Sequence, residues 1–252
     1  MRLVIFLFCL LPSLVCAGID PWSLDLIVSR NDCPIVGWWD IEEGTGTSTT
    51  RDRSGNGHTA TLYSVNEYDW ETGPIPTQFW LSLYGYAVVA DADDLSFTTG
   101  SADEKFSGVV CAKPSDTSYF AGLLGKWGSS YEWLFMFSSG HLRLRLHGGS
   151  VNRDITSDST VASGVLNAYG FSYDGAADAT LYIDGSEEAS TASGEGYTYM
   201  SNTAADLILG AIGPSASYPI AGPFAFAVIY DCELTSAEQA AIAEECRVGV
   251  RP

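Results

Sequence analysis

The side chains best suited to chemistry in this chain are carboxylates, a short basic stripe and a set of aromatics. Two acidic groups stand out, Asp40 with Glu42 and Glu43, and Asp91 with Asp93 and Asp94. Glycoside hydrolysis needs a carboxylate on each side of the scissile bond. The first group falls at a strand end and turn and the second in a loop after a strand, so both read as solvated turn acids. No serine or cysteine elbow stands beside any of the three histidines, which leaves nucleophilic catalysis without a signal. The expectation is therefore a protein that is not an enzyme.

Binding chemistry has better material. His141, Arg143, Arg145 and His147, with Arg153 nearby, form a basic edge in an otherwise acidic chain. Guanidinium forks match sulfate and uronate groups, so the edge would grip an anionic glycan; the alternative is neutralisation by acids on a neighbouring strand. Trp127, Tyr131 and Trp133 surround a polar turn, Gly128-Ser129-Ser130, and Tyr197, Tyr199 and Tyr218 lie in glycine-rich loops. Exposed aromatics of this kind stack on sugar rings while adjacent polar groups fix orientation. An inward-facing strand position is the competing reading for Trp127 and Trp133. Tyr131 and Tyr197 are expected to be exposed. The candidate ligand-binding residues are thus Trp127, Tyr131, Tyr197, Arg143 and Arg145.

The elements that must carry these residues are strands. In His141–His147 leucines alternate with basic residues, the pattern of a strand with one wet face. Ala179–Ile183 runs into Asp184-Gly185 and Phe171–Tyr173 into Asp174-Gly175, and Asp-Gly is a tight-hairpin signal because both residues tolerate positive φ. Pro223–Tyr230 is too continuously apolar for a half-exposed strand and belongs at the centre of a sheet. One helix is expected, between Thr235 and Glu245, with Glu238 completing a capping box on Thr235. Many short strands, 26 glycines and one short helix predict an all-β chain, two antiparallel sheets packed as a sandwich of the jelly-roll kind.

Residues 1–17 read as a signal peptide, Arg2 followed by the apolar run Leu3–Leu11, with the cut expected between Ala17 and Gly18. Residues 18–34 form an N-terminal extension and 35–252 the folded domain. The charge of −19, from 31 acids against 12 bases, opposes binding to nucleic acid or to an anionic membrane. Cys33, Cys111, Cys232 and Cys246 remain after the signal and allow three complete pairings. Secretion makes disulfides expected, and no pair has zinc-finger spacing. A helix between Cys232 and Cys246 would hold them about 16 Å apart, so the bridge expected is Cys33 with Cys246, near the two ends of the domain.

Six segments, in order, resemble the laminin-G-like jelly-roll domains of the concanavalin A-like lectin and glucanase superfamily. They are Val36–Gly46, Asp52–Leu62, Leu81–Val89, Phe106–Pro114, Leu181–Gly185 and Val228–Tyr230, with Lys126-Trp127 between the fourth and fifth. The Asp52-Arg53-Ser54-Gly55-Asn56-Gly57 loop is the most specific of them. In that register Cys111 replaces a core tryptophan and should be buried. The resemblance implies a possible calcium site at Asp52 and Asn56, although Ala225 and Phe226 occupy positions where many relatives carry acids. It also implies catalytic relatives with a Glu-x-Asp-x-Glu string, which is absent here. Fold does not fix function. The expected function is a secreted carbohydrate-binding or adhesion module; a structural surface or virion component and an unrecognised glycoside hydrolase are the alternatives.

Overall fold

The computed structural model of the chain describes residues 33–41, 43–44, 47–63, 70–72, 79–83, 85–176, 178–213 and 217–248. The expected signal peptide, nearly all of the N-terminal extension, and Glu42 lie outside them. The first six strands are β1 (Ile35–Asp40), β2 (Thr49–Thr50), β3 (Ala60–Tyr63), β4 (Trp70–Thr72), β5 (Phe79–Leu83) and β6 (Tyr86–Val89). Next come β7 (Phe106–Ala112), β8 (Ala121–Trp127), β9 (Tyr131–Ser138), β10 (His141–Gly148), β11 (Val151–Thr160) and β12 (Asn167–Tyr173). The last are β13 (Ala179–Ile183), β14 (Ser186–Glu188), β15 (Ser190–Ser193), β16 (Leu207–Leu209) and β17 (Gly222–Tyr230), before the helix α1 (Ser236–Val248).

These strands form two antiparallel sheets. The first runs β14-β13-β12-β7-β17-β5-β4, with β1 sharing one edge of β17 with β5. The second runs β15-β11-β10-β9-β8-β16-β6-β3-β2. Between them lies one apolar core, including Trp39, Phe106, Trp133, Phe135, Phe171, Leu142, Leu144 and Leu146. The alternation in β10 does what its pattern predicts: the three leucines are fully buried and the basic residues are half-buried on the opposite face.

The continuous apolar runs have a different cause. Strands β7 and β17 are covered on both faces, because α1 packs over the outer side of the first sheet. Phe106, Val110 and Ala112 point into the sandwich, while Val109 and Cys111 meet Ile242, Ala243 and Cys246 of the helix. A bulge between Phe224 and Phe226 shifts the phase of β17, so that Phe224, Ala227 and Ile229 face inward and Phe226, Val228 and Tyr230 face the helix. The capping box forms as the sequence predicts, with the Thr235 N–H donating to Glu238 Oε2 at 2.7 Å and the Glu238 N–H to Thr235 Oγ1 at 3.4 Å. Gln239 docks the helix by donating from Nε2 to the Phe171 carbonyl and Ser172 Oγ, both at 3.0 Å. A Cβ at position 170 would meet Gln239 Oε1 at 2.2 Å, so Gly170 leaves the space that the Gln239 amide fills in this docking.

Two local expectations are corrected. Asp184-Gly185 is the tight turn predicted, with φ of 51° and 74° and Ile183 paired to Ser186. Asp174-Gly175 instead opens a longer loop, closed by the Asp174 N–H donating to the Asp178 carbonyl at 3.1 Å. The disulfides are Cys33–Cys232 and Cys111–Cys246, not Cys33–Cys246. Register explains the first: Ile35 lies opposite Tyr230, and continuing that antiparallel register by two residues brings Cys33 to Cys232. The second staples α1 to β7, where Cys111 is fully buried as its position predicts.

Candidate functional site

The outer face of the second sheet carries the candidate site. Trp127 ends β8, the turn Gly128–Ser130 reverses the chain with a 2.9 Å backbone hydrogen bond, and Tyr131 opens β9. Across the sheet, His147 near the end of β10 reaches the same spot. The Trp127 and Tyr131 rings lie 4.6 Å apart between centroids, and His147 stands edge-on to them at 6.0 and 5.5 Å. Tyr131 is 41% exposed, and Trp127 and His147 are half-buried, so the three rings form a continuous aromatic surface facing solvent.

A polar edge borders this surface. The β10–β11 register sets Arg145 opposite Asp154, Arg143 opposite Thr156 and His147 opposite Asn152. Arg145 grips Asp154 as a two-pronged fork, Nε to Oδ1 at 2.6 Å and Nη2 to Oδ2 at 2.7 Å, with its Cζ 6.0 Å over the Trp127 ring. Arg143 donates to Thr156 Oγ1 at 3.0 Å and reaches Asp154 at 3.4 Å. His147 Nδ1 lies 2.7 Å from Asn152 Oδ1. Donating to Asp154 raises the pKa of Arg145, and burial lowers that of Arg143. The expected basic edge is thus built as a stripe, and Asp154, shared by both arginines, offsets one of their two charges. Arg153 does not belong to it: it pairs with the inward-facing Leu146 and lines a cavity with Asp174, Asp178 and Glu187 on the other side.

Under the aromatic pair lies a polar cluster that the sequence did not reveal. Lys126 and Glu132, the chain neighbours of Trp127 and Tyr131, are both fully buried and 3.3 Å apart. Lys126 Nζ donates to Asp91 Oδ1 at 2.5 Å and to Ser96 Oγ at 2.6 Å. Glu132 Oε1 accepts the Thr203 N–H at 2.7 Å, the Thr203 hydroxyl at 3.1 Å and the Ser96 hydroxyl at 3.3 Å. Burial raises the Glu132 pKa above the usual carboxylate value, with Lys126 opposing. An acid one residue from an exposed tyrosine at the start of a strand carries no pattern that separates a buried partner from a solvated one.

The remaining expected site residues go elsewhere. Trp133 is fully buried in the core. Tyr197 is half-buried rather than exposed, because its hydroxyl donates to Asp103 Oδ2 at 2.6 Å, alongside the Tyr173 hydroxyl at the same distance. Asp52 ties its loop to β1: Oδ1 accepts N–H groups from Trp38 at 3.1 Å and Ser54 at 2.9 Å, and Oδ2 accepts the His58 N–H at 2.9 Å and the Ser54 hydroxyl at 2.8 Å. Those bonds lower its pKa against the opposing effect of burial. Asn56 Nδ2 donates to the Ile35 and Val36 carbonyls. Of the acids read as solvated, Asp40 is buried and bonded to Arg53 Nε at 2.5 Å, Asp91 holds Lys126, and Asp94 faces His58 at 2.9 Å.

A laminin-G-type family profile, described as the concanavalin A-like lectin/glucanases superfamily, matches residues 86–239, more than half of the chain. The chain belongs to that superfamily. No curated protein matches the sequence. Solved structures of similar fold include Domain 4 of AbnA, a GH43 extracellular arabinanase from Geobacillus stearothermophilus, in complex with arabinotriose. It is 14% identical with a TM-score of 0.60, over 84% of this chain and 99% of that one. The binding domain of Paraclostridial Mosquitocidal Protein 1 is 15% identical with a TM-score of 0.57, over 83% of this chain and 51% of that one. The binding domain of Botulinum Neurotoxin DC in complex with SialylT is 14% identical with a TM-score of 0.59, over 84% and 52%. This superfamily member therefore spans about half the length of those toxin binding domains and nearly all of the arabinanase domain. At these identities the likeness is one of fold.

Proposed function

We propose that the chain is a secreted, non-catalytic carbohydrate-binding module whose glycan stacks on Trp127 and Tyr131. The observation that carries this is the solvent-facing surface of Trp127, Tyr131 and His147, bordered by the Arg145–Asp154 fork. The rings offer an apolar platform for the C–H face of a sugar, and the fixed guanidinium, carboxylate and amide groups offer partners for hydroxyls. Hydrolysis would need two carboxylates flanking the bond. Asp154 is already engaged by two arginines, so it serves as an orienting acceptor rather than as an acid or base. Because Asp154 offsets one of the two arginine charges and the chain as a whole carries −19, the ligand is a neutral glycan rather than a sulfated one. Secretion accords with the two disulfides and with the signal-like start of the sequence.

The test is a glycan array with and without calcium, followed by titration of a neutral hit into Trp127→Ala and Tyr131→Ala. Each substitution should weaken binding about tenfold or more, equivalent to ~1.4 kcal/mol, without changing the fold. Absence of any glycan hit under either condition would favour a structural surface role, and binding indifferent to both substitutions would move the site elsewhere.

A further inference from the structure

The opposite end of β8 carries a second set of exposed aromatics. Tyr119, Phe120 and Tyr218 are 73%, 45% and 57% exposed, and the Phe120 and Tyr218 rings meet edge to face at 6.1 Å. Phe120 immediately precedes β8 and Trp127 ends it, so seven residue steps along the strand separate the two aromatic groups. At ~3.3 Å per residue that is about 23 Å.

The loops that present these rings are knitted together. Thr117 is buried at their centre: its N–H donates to Ser163 Oγ at 3.0 Å, its hydroxyl to the Val161 carbonyl at 2.8 Å, and its carbonyl accepts the Gly140 N–H at 2.8 Å. Ser115 N–H donates to the Ala221 carbonyl and Gly122 N–H to the Tyr218 carbonyl, each at 3.1 Å. Tyr218 is held at φ 54° directly before Pro219, where an L-residue strongly prefers an extended backbone. The surrounding hydrogen bonds thus impose the conformation that presents the ring, and a platform fixed in advance costs less entropy to bind.

The chemistry of this end is distinctive in so acidic a chain. Residues 113–120, 139–140, 161–166 and 217–221 contain only Lys113 and Asp116 as charged groups. Asp116 Oδ1 accepts the Ser118 N–H at 2.8 Å and hydroxyl at 2.6 Å, which fixes an exposed carboxylate in the loop that leads to Phe120. Those hydrogen bonds hold it ionised by lowering its pKa. An ionised carboxylate resists entry into a bilayer boundary but is a strong acceptor for sugar hydroxyls.

We infer that these loops form a second binding site, for a neutral oligosaccharide, with Phe120 and Tyr218 as the stacking platform and Asp116 with Ser118 as its polar edge. The ligand class rests on the function proposed above; the site does not share a residue with it. Two platforms at opposite ends of one strand would let a single chain bridge separate glycans and gain by multivalency.

Amide chemical-shift mapping of the full folded domain, titrated with arabinotriose, xylotriose, cellotriose and N-acetylchitotriose, tests this. At least one sugar should move the amides of 116–122 and 217–221. Those shifts should survive in Trp127→Ala and vanish in the Phe120→Ala/Tyr218→Asn double variant, whose thermal melt should match the parent. The inference is overturned if no sugar moves these amides, if Trp127→Ala abolishes the shifts, or if neutral phosphatidylcholine vesicles sediment the parent but not the loop variant. Loop shifts without any at Tyr131 would instead overturn the Trp127 site and leave this one standing.

Discussion

At the residue scale, the site depends on a pair of charges with no access to water. Lys126 and Glu132 sit fully buried on the strand positions next to Trp127 and Tyr131, and the Glu132 Oε2 atom has no hydrogen-bond partner among the described residues. Removing one member of such a pair leaves the other uncompensated in a low-dielectric interior. Lys126→Met should therefore lower unfolding stability by about 3 kcal/mol or more in urea melts. Adding Glu132→Gln should restore part of it, since the stranded charge is removed; a loss of under about 1 kcal/mol in the single variant would show that water reaches the pair. None of this was legible in the sequence. Tyr131-Glu132-Trp133 reads as alternation at a strand start, and only the arrival of Lys126, Ser96 and Thr203 from distant segments makes position 132 an interior one.

At the element scale, α1 holds the clearest pH dependence. Glu245 is buried, its Oε2 atom has no hydrogen-bond partner among the described residues, and burial pushes its pKa from 4.5 up to about 8. In the unfolded chain it ionises near the lower value, while in the folded helix it keeps its proton to the higher one. Its contribution is therefore complete below about 4.5 and is lost as pH rises toward about 8, because folding must then retain a proton that the unfolded chain gives up. Glu245→Gln should leave the melting temperature close to the parent's near pH ~4 and raise it several degrees near pH ~8. An equal difference at both pH values would show that ionisation is not the cause. The helix itself was legible because its signal is local, a capping box four residues long. Its docking was not, since Gly170, Gln239 and the Cys111–Cys246 bridge join segments 69 to 135 residues apart.

At the scale of the whole molecule, the net charge of −19 acts on the compact state as self-repulsion. Raising ionic strength from about 0.01 to about 0.15 M shortens the screening length from about 30 to about 8 Å. The melting temperature should rise by a few degrees over that range; a fall would mean that ion pairs such as Arg53–Asp40 and Arg145–Asp154 outweigh the repulsion. The same negative field, and the partly offset charge of the β10 stripe, accord with the proposal of a neutral glycan rather than a polyanion.

The sequence by itself determined the class of fold, the superfamily, the half-wet β10, the Asp184-Gly185 turn and the capped helix. Each of these rests on period, turn chemistry or a short motif, and so is written within a few neighbouring residues. Tertiary structure decided what lies across from what. The β1–β17 register chose Cys232 for Cys33, the β10–β11 register set Asp154 against both arginines, and Asp103 drew Tyr197 inward. A strand's pattern says which face a side chain takes, but its partner there is fixed only when another segment docks at a given register. For that reason Trp127 and Tyr131 could be singled out as aromatics flanking a turn, while the surface they share with His147, and the buried pair beneath it, belonged to the folded sheet alone.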